Sequence, residues 1–265
     1  MAGIRDSLGF GGRWLVGLVV FGLVVAGVVA VPRVEAVSSV DIVILGGESA
    51  VSSSVEAQLK SCTTGSVSRL AGANRYATAV EVSKASFGSA SGAFVATGLN
   101  FPDALAGGPP AALGGQPVLL VNDAVPAATA AELARLGVSS VAVLGGPAVV
   151  PDSVVASLNA VFPTSRIWGS DRYATAAAIA QARFPSADTV YVATGSNFPD
   201  ALAGVPAAAG DKAPILLVQK DSIPGATAAE LARLKPTTIK ILGGEAVVSP
   251  AVASALGGYA SSVVR

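Results

Sequence analysis

The chain repeats itself, and no other feature constrains its fold as much. The segment Arg69-Leu70-Ala71-Gly72-Ala73-Asn74-Arg75-Tyr76-Ala77-Thr78-Ala79 returns 97 residues later as Arg166-Ile167-Trp168-Gly169-Ser170-Asp171-Arg172-Tyr173-Ala174-Thr175-Ala176. The stretch from Val95 to Gly107, with Thr97-Gly98-Leu99-Asn100-Phe101-Pro102-Asp103 at its centre, recurs from Val192 to Gly204 at the same spacing. Pro117-Val118-Leu119-Leu120-Val121 matches Pro214-Ile215-Leu216-Leu217-Val218, and Ala131–Leu136 matches Ala229–Leu234. Leu-Gly-Gly stands at Leu45, Leu144 and Leu242. Two units are complete, 69–165 and 166–265, and the last quarter of a unit precedes them at 37–68. Arg265 falls where a third Arg69-like block would begin, so the array reads as a natural short form or a truncated one.

Ahead of the array, Arg5 and Arg13 precede an uncharged run from Trp14 to Val31, followed by Pro32, Arg33 and Val34-Glu35-Ala36. A basic start, an apolar middle and a small-residue exit make residues 1–36 an export leader, with cleavage expected after Ala36. The run at 14–31 is also just long enough to anchor the chain in a bilayer, and both readings deliver the remainder outside the membrane.

Composition narrows the chemistry. Lys and Arg number 17 and so do Asp and Glu, which argues against an electrostatic grip on nucleic acid. The chain has no histidine, so histidine-based nucleophile activation and imidazole zinc sites are excluded. Its single cysteine, Cys62, forms no internal disulfide and is expected as a small buried apolar side chain. No cofactor or metal signature stands out.

Each unit alternates short apolar runs with helical stretches. Phe94–Thr97, Val118–Val121 and Val141–Leu144, with Val190–Thr194, Ile215–Val218 and Ile239–Leu242, read as strands buried on both faces. Helices are expected over 75–87 and 172–184 behind the N-caps Asn74 and Asp171, from Pro102 and Pro199, over 129–136 and 227–234, and near Pro151 and Pro250. Ser53 and Glu56 have capping-box spacing. The fold class is therefore α/β, as tandem modules, each with an open, mainly parallel sheet flanked by helices.

In such sheets ligands bind beyond the carboxyl ends of the strands. Asn100, Asp103, Asn197 and Asp200 lie in strand-to-helix turns of that kind, where they either meet a ligand or fix the turn and pair with Arg75 and Arg172. Arg69, Arg75, Arg166 and Arg172 are candidates for an anionic polymer, their forked donors recurring once per unit, with an intramolecular ion pair as the competing role. Tyr76 and Tyr173 are read as packing residues. No catalytic constellation is found, so the expected role is non-catalytic. An exported enzyme or small-ligand receptor built on the Asn-Phe-Pro-Asp turns is the alternative.

Together, R-[LI]-x-G-x-[ND]-R-Y-A-T-A, T-G-x-N-F-P-D-A-L-A-G, P-[VI]-L-L-V and [IV]-L-G-G closely resemble the cell wall-binding repeat family, type 2. That resemblance implies a secreted or cell-surface protein of a Gram-positive-type bacterium. It implies attachment to the wall through an anionic secondary polymer such as teichoic acid, and a Toprim-like α/β module packed in threes. It also links the Pro-Ile-Leu-Leu element to binding, here Pro117, Leu119, Pro214 and Leu216, whereas the residues themselves read as a buried strand. With the third module incomplete, exposed apolar surface and a homo-oligomer completing the assembly are expected.

Overall fold

The computed structural model describes residues 39–197 and 199–265, and the leader or anchor read at 1–36 lies outside them. The partial unit is β1 (Ile42–Leu45), α1 (Ser53–Cys62) and β2 (Val67–Leu70), whose strands pair in parallel as a sheet of their own. The first full copy follows as α2 (Arg75–Ser86), β3 (Gly92–Thr97), α3 (Pro102–Leu113), β4 (Val118–Val121), α4 (Ala127–Leu136), β5 (Ser140–Leu144), α5 (Asp152–Asn159) and β6 (Thr164–Ile167). The second copy repeats that order as α6 (Arg172–Arg183), β7 (Thr189–Thr194), α7 (Pro199–Gly210), β8 (Ile215–Val218), α8 (Gly225–Leu234), β9 (Thr238–Ile241), α9 (Pro250–Leu256) and β10 (Ser262–Val264). The sheets run β4-β3-β5-β6 and β8-β7-β9-β10, with every strand pair parallel.

Parallel strands covered on both faces need apolar side chains in both directions, which is why the central runs show no alternation. On one face of the first sheet, Val95, Leu119 and Val143 pack with Leu133 of α4 and Val154 of α5. Val192, Leu216 and Ile241 do the same in the second sheet with Leu231 of α8 and Val252 of α9. The opposite faces do not form separate cores. Phe94, Ala96 and Leu144 of the first copy join Ile179, Tyr191, Ile215 and Leu217 of the second in one apolar cluster, with Leu105 and Ala106 of α3 between them. Helix α3 packs on α6 and α7 as well as on its own sheet. It approaches closely because Gly108 has no side chain: a Cβ there would lie 2.7 Å from Val205 Cγ1.

The covering is one-sided, and equivalent residues show it. Leu105 on α3 is 7% exposed, whereas Leu202, its counterpart on α7, is 40% exposed. Ala106, Pro109 and Pro110 are buried, but Ala203, Pro206 and Ala207 are exposed. The second sheet also carries a polar cluster that the first lacks. Where the first copy has Phe94, Gly114 and Ala142, the second has Tyr191, Asp211 and Lys240. Tyr191 donates its hydroxyl to Asp211 at 2.8 Å, and Lys240 pairs with the same carboxylate at 2.7 Å.

Local rules account for most helix starts. Asn74, Asp171 and Ser249 accept from the backbone N–H groups of Ala77, Ala174 and Val252. Two expectations are corrected. The cap of α1 is Ser52, which accepts from Val55, and Glu56 reaches forward to Lys60 and Arg69 instead of closing a capping box with Ser53. Cys62 is exposed, because among the described residues α1 lies on a two-stranded sheet with no second layer and buries none of its residues. The strand that carries Arg69 or Arg166 closes the sheet before it, so the folded module begins a few residues after the start of the sequence repeat.

Candidate functional site

The twelve candidate residues divide into four structural groups. Arg69 and Arg166 are joints inside their own sheets. Arg69 holds Glu56 through Nη2 at 2.9 Å and the Gly46 carbonyl through Nη1 at 2.7 Å. Arg166 donates Nη1 to the Gly145 and Val150 carbonyls, each at 2.8 Å, and Nη2 to Asp152 at 2.8 Å. Arg265 repeats the pattern on Gly243 and Val248. With their side chains 16% and 13% exposed and their forks occupied, Arg69 and Arg166 are not the free anion contacts expected from their repetition.

Pro117 and Pro214 are buried, and Leu119 and Leu216 have no exposed surface at all. Their strands β4 and β8 are edges in hydrogen bonding but are roofed by helices on both faces. The side chains of these four residues lie in the core. Tyr76 and Tyr173 lie over Gly98 and Gly195, in the packing role expected of them.

Arg75 and Arg172 are partly committed. Each donates Nη1 to a carbonyl of the strand-end turn in its own copy, Gly98 for Arg75 and Gly195 for Arg172. The expected pairing with Asp103 and Asp200 is replaced by these carbonyl bonds, since no ion pair joins those residues within the described chain.

The fourth group marks a site. Asn100 and Asp103, from the turn after β3, border a cleft of about 180 Å³, closed on the other side by Trp168 and Arg172 at the start of the second copy. The loop after β5 forms its floor. There Gly145 has φ +107°, a backbone region that side-chain-bearing residues rarely adopt, and a Cβ on it would sit 2.6 Å from Asp103 Oδ2. Asn197 and Asp200 occupy the same turn of the second copy, but no following copy encloses them among the described residues: Asn197 is exposed and Asp200 half-buried.

Asp103 is the unusual group. It is 8% exposed as a residue and has no hydrogen bond or ion pair among the described residues, but its carboxylate oxygens reach solvent, because no fully buried side-chain oxygen among the described residues lacks a partner. Burial pushes its pKa up to about 6, with the positive charge of Arg172 pulling the other way. Asn100 Oδ1 accepts from the Phe101 N–H at 2.9 Å, which leaves its amide hydrogens as donors. Asp171 also borders the cleft while capping α6 through the Ala174 N–H at 2.8 Å.

Trp168 was not singled out by the repeat, because the first copy has Ala71 at that position. The available signal was its rarity: the chain has two tryptophans, and this one is 50% exposed beside the cleft.

Comparison with known proteins fits this geometry. The family model described as Cell wall binding domain 2 (CWB2) matches residues 69–155 and 166–253, well over half of the chain. N-acetylmuramoyl-L-alanine amidase LytC of Bacillus subtilis (strain 168) is 36% identical over 225 residues, covering 84% of this chain and 44% of the amidase. The Amidase enhancer of the same organism is 36% identical over 187 residues, covering 70% of this chain and 25% of the enhancer. Among solved structures, Cwp8 from Clostridium difficile aligns with a TM-score of 0.73 at 27% identity, covering 83% of this chain and 38% of Cwp8. Cwp6 from Clostridium difficile aligns with a TM-score of 0.68 at 32% identity, over 73% of this chain and 31% of Cwp6. The chain thus spans less than half the length of each of these relatives.

Proposed function

The chain belongs to the cell wall binding domain 2 family, whose members are wall-associated surface proteins, and on that premise we propose that it attaches non-catalytically to the wall by holding an anionic secondary polymer. The observation that carries this reading is the cleft between the copies. It is where strand-end residues of one repeat, Asn100 and Asp103, face Arg172 and an exposed Trp168 of the next. Arg172 Nη1 is bonded to the Gly195 carbonyl, so its Nε and Nη2 supply the cationic donors at the rim. A polymer running past the junction meets both copies at once.

Pelleting with wall sacculi tests this. Protein is expected to co-sediment with sacculi that carry their polymer, to be released by high salt, and to remain in the supernatant once acid has stripped the anionic polymers. Unchanged recovery on stripped sacculi contradicts polymer recognition.

A small-ligand receptor or enzyme built on the Asn-Phe-Pro-Asp turns is favoured by one observation, the enclosed acid Asp103. Such a protein would use both turns. Since the following copy covers the Asn100 turn and not the Asn197 turn, Asn197→Ala is expected to leave binding unchanged, and a loss equal to that of Asn100→Ala would favour the receptor.

A further inference from the structure

We propose that the cleft between the copies is a subsite for one neutral sugar ring of the wall polymer, stacked on Trp168 and hydrogen-bonded through its hydroxyls to Asp103 and Asn100; this rests on the wall-attachment reading above. The charged links of the polymer stay outside, at the rim marked by Arg172.

Four features point to a hydroxylated ring. The first is the indole. Trp168 packs closely on Gly146, where a Cβ would lie 2.7 Å from its Cε3, and half of its surface is open. In a chain with 5% aromatic residues, an exposed indole backed by glycine is a platform, and a pyranose offers the apolar C–H face that matches it. The second is size. At about 180 Å³ the cleft is below the usual range for extended organic ligands and suits one small ring.

The third feature is polarity. Asp103 is more than nine-tenths buried as a residue, has no hydrogen-bond partner among the described residues, and opens its carboxylate oxygens into the cleft. A ligand hydroxyl there replaces the water that those oxygens meet. Asn100 adds a donor on the same wall. A hydroxyl both donates and accepts, so one ring can answer both groups. The fourth is charge. Asp103 and Asp171 face the cleft against a single guanidinium, Arg172, which already gives Nη1 to the Gly195 carbonyl. Two carboxylates beside one partly committed cation disfavour phosphate in the cleft, and the same carboxylates disfavour a purely apolar guest.

The test uses the full chain carrying Trp14→Phe, which leaves Trp168 as the only tryptophan, so its emission reports the cleft. Titration with glucose and with N-acetylglucosamine is expected to shift that emission saturably for at least one of them. Inorganic phosphate and glycerol 3-phosphate are expected to leave it unchanged. Asp103→Ala, which removes a carboxylate that makes no hydrogen bond within the described chain, is expected to weaken the sugar response at least tenfold. No response to either sugar overturns the subsite, as does a response to inorganic phosphate or an unchanged midpoint in Asp103→Ala. On sacculi, Trp168→Ala is expected to lower affinity at least tenfold, and Trp168→Phe to restore most of it. If Trp168→Ala pellets like the parent, the subsite is overturned and wall attachment stands. If the parent protein itself fails to pellet, wall attachment is what fails.

Discussion

Truncating Leu105 to alanine is expected to destabilise the protein by about 2–5 kcal/mol, whereas the same truncation at Leu202 costs about 0.5 kcal/mol. The two leucines occupy one position of the repeat, on α3 and α7, and their local sequences are nearly identical. What separates them is the neighbouring copy. Leu105 is 7% exposed within the cluster that joins both copies, while Leu202 is 40% exposed. Removing Leu105 opens a cavity between α3 and the second copy, and the helices can collapse into it only in part. At Leu202 little buried surface is lost. Urea unfolding of the two variants measures the difference. Equal costs would mean that α3 is not clamped between the copies, and the cleft beside it would then lack its defined walls.

Replacing Asp103 by asparagine is expected to stabilise the fold at neutral pH while weakening attachment. The carboxyl pKa rises from 3.8 to about 6 on folding because burial disfavours the charged form. The folded protein therefore holds this proton more tightly than the unfolded chain does. The resulting stability is fully present below pH 3.8 and is lost as pH rises through about 6. At one pKa step per about 1.4 kcal/mol, the ionised side chain costs the fold on the order of 2–3 kcal/mol at pH 7. Asp103→Asn removes that cost, so its advantage over the parent should grow between pH 4 and pH 7 and vanish in acid. Denaturant midpoints across that range check the prediction, and an advantage that does not change with pH would contradict it. A residue that destabilises its own fold at neutral pH is the kind retained for binding.

Much of this was legible before any coordinates. The apolar runs at Val118–Val121 and Ile215–Val218 read as doubly covered strands, and Asn74 and Asp171 announced their helices. Elements that depend on a neighbour were harder to read. Strands β2 and β6 are four-residue segments, Val-Ser-Arg-Leu and Thr-Ser-Arg-Ile, with too few apolar residues to stand out. Their arginines look like free cations in sequence, because the carbonyls that saturate them come from loops some twenty residues away. Cys62 was misplaced for the opposite reason: its helix follows the repeat but lacks the second layer that would bury it.

The cleft itself was half visible. Asn100 and Asp103 were read as strand-end residues, yet nothing local distinguishes them from Asn197 and Asp200. The difference arises because α6 follows the first copy and closes over its turn, while among the described residues Asn197 is exposed and Asp200 half-buried. Trp168 became significant only once β6 placed it across from Asp103.

The central claim is that the wall polymer is held where the two copies meet. The most direct measurement is backbone and indole amide chemical-shift mapping of the isotope-labelled chain, titrated with polymer released from sacculi. The account predicts shifts concentrated at Asn100, Asp103, Gly146, the Trp168 indole N–H and Arg172, with little change at Asn197 and Asp200. Shifts on the α2–α4 and α6–α8 surfaces or on the β1–β2 unit, with the cleft silent, would contradict it.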